Sequence, residues 1–268
     1  MSGDSAIGED GLPPYRAVLV VDTKEFGGNT DPGQELLAAA VPDVMALAFE
    51  RAGLGKLWQE ALFPHNTGDG FGIGFDTVHL PAVVARLFDS LQEVLAERDA
   101  RLRAVDRRLR LRMRASLNVG PVREPDPGGQ TAVVGRTVIA THRLLDADVV
   151  RDLLARSDPE QTFLAVALSH RVFEDVVASG YAALPASRVV QTAVRVKEFE
   201  SLVHLYVPNP SGDLLRHGFG SEEPHQEASD PVADTRDQAA GSVRNVMSGI
   251  QTGTAIQVGH LHGGLHNG

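Results

Sequence analysis

Two hydrophobic periods alternate along residues 15–208 and set out a run of strands and helices. Residues 15–22, YRAVLVVD, form a nearly continuous apolar run closed by a carboxylate, the pattern of a strand buried on both faces. Residues 23–33, TKEFGGNTDPG, are turn formers. A helical pattern follows over 34–52, with Pro42 predicting a break or restart and Gly53 an end. Residues 57–75 read as a hairpin around a Thr-Gly-Asp-Gly turn. Pro81 then opens a helix whose apolar positions Val84, Leu87, Phe88, Leu91, Val94, Leu95 and Leu102 carry it to about Arg107.

At Arg108 the period switches to two. Arginines 108, 110, 112 and 114 alternate with Leu109, Leu111, Met113 and Ala115, predicting a strand with one wet face. A polar loop at 123–130 leads to a short strand at 131–134 and a helix over 138–155. Residues 162–168 predict a buried strand, and 169–177 a short helix capped by Ser169. Strands at 189–196 and 202–207, joined by KEFES, close the series. This order implies an α/β sandwich over 15–208. Residues 1–14 read as a disordered leader and 209–240, rich in Pro, Gly, Ser and charge, as a disordered linker. Residues 241–268 regain β-branched and apolar residues but are too few to hold a core.

Composition narrows the partners. A net charge of −10 argues against nucleic acid or an anionic membrane as the main partner. The absence of cysteine removes disulfides, thiolate metal sites and cysteine nucleophiles, and is simplest in a reducing cytoplasm. No apolar run approaches the roughly 20 residues that span a bilayer. A soluble cytoplasmic protein is the expectation.

The candidate chemistry is a pair of carboxylates. Asp69 sits at the tip of the Gly-rich turn and Asp22 ends the first apolar run, so two strand ends can bring both onto one cation. The alternative is two ordinary turn or capping aspartates. The arginine run 101–114 could face RNA, but its strict alternation and the acidic total charge favour a solvated sheet or dimer face. His260, His262 and His266 have ligand-like spacing without a rigid scaffold.

Four stretches resemble, in the family's order, the catalytic domain of class III nucleotidyl cyclases, a ferredoxin-like α/β sandwich. They are VLVVDTKEF (18–26), TGDGFGIGF (67–75), LRMRASLNVGPV (111–122) and VVGRTVIATHRLLD (133–146). The resemblance implies that Asp22 and Asp69 hold two Mg or Mn ions and that the Thr23 carbonyl is a further ligand. It also lays the loop from Lys24 through Phe26 and Gly27 along the phosphates of a nucleoside triphosphate. Arg143 would stabilise charge at the α-phosphate, and Lys197 matches a phosphate-facing lysine loosely. Active sites would form between the two protomers of a homodimer. The chain departs from the family at Glu25, where glycine is usual, and at Ile139, where asparagine orients the ribose. The adenine-reading positions fall on His65 and Ala132, which leaves the base open. Two readings follow: a cyclase, or a cyclase-like domain that binds nucleotide or dimerises without turnover.

The C-terminal stretch 241–268 resembles the bacterial amyloid signalling motifs related to the RHIM motif, through IQVG (256–259), GGLH (263–266) and Asn245, Ser248 and Gly249. Gln257 between β-branched residues, with glycines nearby, suits stacked in-register strands. The resemblance implies an effector, in signalling or antiphage defence, assembled through this segment by an NLR-type sensor.

Overall fold

The structure is a computed structural model and describes residues 11–124, 133 and 135–220. Its elements are β1 (Tyr15–Thr23), α1 (Asp31–Arg51), α2 (Gly55–Gln59), β2 (Leu62–Asn66), β3 (Gly70–Asp76), α3 (Leu80–Ala82), α4 (Phe88–Val105) and β4 (Met113–Pro121). There follow α5 (Arg136–Leu145), α6 (Asp148–Ala155), β5 (Leu164–Ser169), α7 (His170–Val172), β6 (Val190–Val196), β7 (Phe199–Tyr206) and α8 (Asp213–His217). The strands form one sheet in the order β2-β3-β1-β4-β5-β7-β6. Among the described residues only β4 and β5 pair in parallel, and α5 and α6 lie in the crossover that a parallel pair requires. The mixed α/β sandwich is as expected.

Strand β1 lies inside the sheet, between β3 and β4, and serves two layers. Ala17, Leu19 and Val21 pack into the large core with α1 and α4, while Val18 and Val20 join Val122, Val138 and Leu145 on the α5 side. Both sets are buried, so the run reads as continuously apolar. Residue 22 shares the side of Val18 and Val20, which turns the Asp22 side chain toward α5.

Several boundaries differ from the sequence reading. Helix α1 runs unbroken through Pro42, because Leu37, Val41, Val44, Met45, Ala48 and Phe49 bury one continuous face on both sides of it. Leu57 belongs to α2, so the hairpin begins only at Leu62. Strand β4 starts at Met113 rather than Arg108, although Leu109 and Leu111 are already buried. The expected single helix over 138–155 divides at Ala147, whose extended backbone separates α5 from α6. The turn between β6 and β7 is only Lys197 and Glu198, with Lys197 left-handed at φ 54°, so Phe199 already pairs with Val196. Ser169 does cap the helix that follows it, accepting from the Val172 N–H at 3.3 Å. The expected strand at 131–134 lies outside the described residues apart from Val133.

The arginine face is wet only at its start, where Arg108 is exposed. Arg112 is buried and donates to the Thr162 carbonyl and the Ser157 hydroxyl, each at 2.8 Å. Arg110 and Arg103 converge on Glu160. Past Pro208 the chain makes α8, with Leu214 buried beside Leu205 and Val207. At the sheet edges, β2 contains the exposed Pro64 and a register irregularity between Leu62 and His65, and β6 carries the exposed Arg195. No helix of the described residues is long and apolar enough to cross a membrane.

Candidate functional site

The glycines of β3 are seats as much as turn residues. Phe71, Ile73 and Phe75 pack on the α1 side, and the alternate positions are Gly70, Gly72 and Gly74. The Phe63 ring lies over Gly74 and the His65 ring over Gly72, so close that a Cβ would sit 1.9 and 2.1 Å from them. Gly70 faces the Val21 carbonyl oxygen, 2.2 Å from where a Cβ would be. This intimacy draws the turn before β3 against the end of β1: the Thr23 N–H donates to the Asp69 carbonyl at 2.8 Å, and Asp22 pairs with Gly70 in the ladder. The turn is shaped by Gly68 at φ 89°, by the Asn66 side chain accepting from its N–H, and by the Thr67 hydroxyl donating to the Asp69 carboxylate at 2.8 Å.

Asp22 therefore lies beside the Asp69 turn. Burial pushes its carboxyl up to about 6, against the pull of Arg114, and the charges of Asp146 and Asp69 add to the rise. Arg114, opposite it on β4, holds both carboxylate oxygens: Nε donates to one at 2.9 Å and Nη2 to the other. Sequence reasoning missed Arg114, since the alternation placed it on a solvated face; its one signal was the position directly across from a carboxylate-terminated strand.

Two carboxylates and nearby backbone carbonyls are hard oxygen donors of the kind Mg and Mn take. A desolvated carboxylate crowded by two others is also one that a divalent cation stabilises. The residues present are of the kind that fit such an ion, which would have to displace Arg114 from Asp22. Among the described residues no three His, Asp or Glu side chains gather as a ligand set, so an ion held there would need carbonyl, water or phosphate oxygens for its other positions.

The loop after β1 is pinned by the Lys24 N–H to the Arg112 carbonyl at 2.8 Å. Glu25 is left-handed at φ 58°, and its carboxylate is held by the Lys24 ammonium. Phe26 and Gly27 form a single tight turn, closed by the Gly28 N–H on the Glu25 carbonyl at 3.1 Å. Lys24, Glu25 and Arg114 line one side of a cleft of about 300 Å³, with Arg151, Asp152 and Ala155 of α6 opposite.

Helix α5 is seated on β4 by polar contacts. Ser116 donates to the Thr141 carbonyl at 2.8 Å and Asn118 to the Thr137 carbonyl at 3.2 Å. Gly120 admits the Thr137 side chain, whose hydroxyl would lie 2.6 Å from a Cβ there. The Asn-x-Gly stretch thus fixes the helix that carries His142 and Arg143. The His142 ring lies 6.0 Å from that of His65, and burial, then His65, lowers its pKa. Arg143 lines a second cleft, of about 550 Å³, with Asn118, Gly120, Arg136 and Arg171, and meets Glu198 at 3.4 Å. Asp22 and Asp69 are not among its walls. Lys197 sits beside this cleft's Glu198, in the β6–β7 turn. Ile139 is 49% exposed. Ala132 lies outside the described residues.

No family model and no curated protein matches the chain. Solved structures do. A bacterial light-regulated adenylyl cyclase aligns at a TM-score of 0.54 and 15% identity, over 80% of this chain and 60% of that one. The guanylyl cyclase Cya2 aligns at 0.48 and 17% identity, over 80% of this chain and 95% of that one. The adenylyl cyclase CyaB from P. aeruginosa aligns at 0.44 and 16%, over 72% and 92%. The fold is that of the class III adenylyl and guanylyl cyclase domains.

Proposed function

We propose that the chain is a nucleotidyl cyclase, converting a nucleoside triphosphate to a 3′,5′-cyclic nucleotide and pyrophosphate. The observation that carries this is the junction of Asp22 with the Asp69 turn, built by the glycines of β3 at the end of β1. Asp22, Asp69 and the Thr23 carbonyl would hold Mg or Mn, two ions that acidify the 3′-hydroxyl and neutralise phosphate charge. The loop Lys24 to Gly28 follows the phosphates. Arg143, in a cleft away from Asp22, acts on a substrate held by the carboxylates of the other protomer of a homodimer, where it stabilises charge at the α-phosphorus as pyrophosphate leaves. His65, with His142 beside it, occupies the base-reading position.

The test is product analysis of purified protein with Mn and each of the four nucleoside triphosphates. A cyclic product from at least one is expected, abolished by Asp69→Ala; no product from any of them overturns the reading.

A second reading, a nucleotide-binding adaptor without turnover, is favoured by Arg114 on both oxygens of Asp22 and by the exposed Ile139. In either case residues 241–268 would act as an amyloid-type assembly segment serving defence signalling under an NLR-type sensor. Thioflavin-positive fibrils of a 245–266 peptide would support that role, and a peptide that stays monomeric would remove it.

A further inference from the structure

We infer that Arg151 of α6 is a further contact for polyphosphate, and that the cleft between α6 and the β1–α1 loop takes the terminal phosphates of the substrate. The inference rests on the cyclase reading and extends it to a residue outside the four resembling stretches.

Three cations enter this cleft from three separate elements: Lys24 from the loop after β1, Arg114 from β4 and Arg151 from α6. Like charges converge this way at a cost unless something compensates them. Here each is matched by its own carboxylate: Lys24 by Glu25, Arg114 by Asp22 and Arg151 by Asp146 at 3.1 Å. Arg151 also lies 4.0 Å from Asp148.

The Arg151 pair is the loosest of the three. Both its side chains are 52% exposed, and a pair so open to water is weak. A multiply charged anion in the cleft can therefore take the guanidinium from Asp146 at little cost. The fork of Arg151 suits bidentate phosphate contact. Its helix is firmly placed, since Val150, Leu153 and Leu154 are buried beneath it, so the guanidinium is presented from a fixed element.

The cleft also selects for charge. Asp152 and Glu25 line it beside the three cations, so a singly charged anion gains little net attraction. A terminal di- or triphosphate carries enough charge to bind. The volume of about 300 Å³ admits phosphate groups.

Titration calorimetry of the full chain with inorganic tripolyphosphate and Mg tests this. Saturable binding is expected for the natural chain. Arg151→Gln should weaken it by about tenfold, and Arg151→Lys by less. Asp152→Asn should tighten it by about threefold through removal of a carboxylate from the same wall. Arg216→Gln, which breaks an exposed ion pair with Asp213 on α8, should change nothing. No binding by the natural chain, Arg151→Gln within about twofold of it, or no tightening in Asp152→Asn overturns the assignment. Tripolyphosphate binding without cyclic product removes the cyclase reading and keeps the cleft. Natural turnover and KM in Arg151→Gln removes the cleft and keeps the reaction.

Discussion

His204 shows how a single buried ring ties this fold to pH. It is 1% exposed and stacked on Phe173 at 3.8 Å, and its Nε2 lies 3.0 Å from Nδ1 of His170. Burial first, then His170, pushes its pKa down to about 4. The unfolded chain takes up a proton near 6.5 that the native chain refuses until about 4, so stability is full above 6.5 and is lost as pH falls through that window. The expected loss is on the order of 2–3 kcal/mol. His204→Phe, which keeps an aromatic face against Phe173, should flatten the fall between pH 7 and 4.5, read as urea midpoints; an unchanged slope would exclude His204 as its source. Arg114 teaches the companion lesson about legibility. Asp22 stood out in the sequence because it ends an apolar run, and Asp69 because it sits at the tip of a Gly-rich turn. The role of Arg114 could not be read there, because an arginine on an alternating strand is wet or paired according to a residue 92 positions away. Arg112 was misread for the same reason, its partners being Thr162 and Ser157.

At the scale of elements, the β2–β3 hairpin and the α5–β4 contact do most to place the candidate site. In β3 the alternation of Gly with Phe and Ile was visible in the sequence, but its purpose as a bed for the rings of Phe63 and His65 depends on the pairing with β2. Gly70→Ala should be the most damaging small change in this hairpin, since its Cβ would press on backbone at Val21 rather than on a movable side chain. A destabilisation of about 1–3 kcal/mol is expected in denaturant melts, with loss of any cyclase activity even where the protein stays folded. A variant as stable and active as the natural chain would show that the close approach of β3 to β1 is not needed. The end of α5 was illegible for a related reason. Residues 138–155 have one helical period, and the extended backbone at Ala147, with Leu144, Ala147, Val150 and Leu153 buried in one cluster, divides it into two helices.

For the whole molecule, Asp22 is not among the walls of the cleft that Arg143 lines, so the proposed reaction would bring the two together across two chains. Mixing inactive Asp69→Ala protein with inactive Arg143→Ala protein should restore activity, since half of randomly paired dimers hold one intact site, about a quarter of the natural number of sites. No recovery on mixing well-folded variants would place all catalytic groups within one protomer. The sheet order, with two strands on one side of the β1–β4 pair and three on the other, leaves β2 and β6 as edges. A protein gathered in many copies through residues 241–268 would hold these edges at high local concentration, where unpaired strands invite runaway sheet growth. Pro64 has no N–H to offer a newcomer on β2, and Arg195 sets an exposed charge near the end of β6. Clustering by the tail could then proceed without the folded domains zippering together, which keeps assembly a signal and not a precipitate.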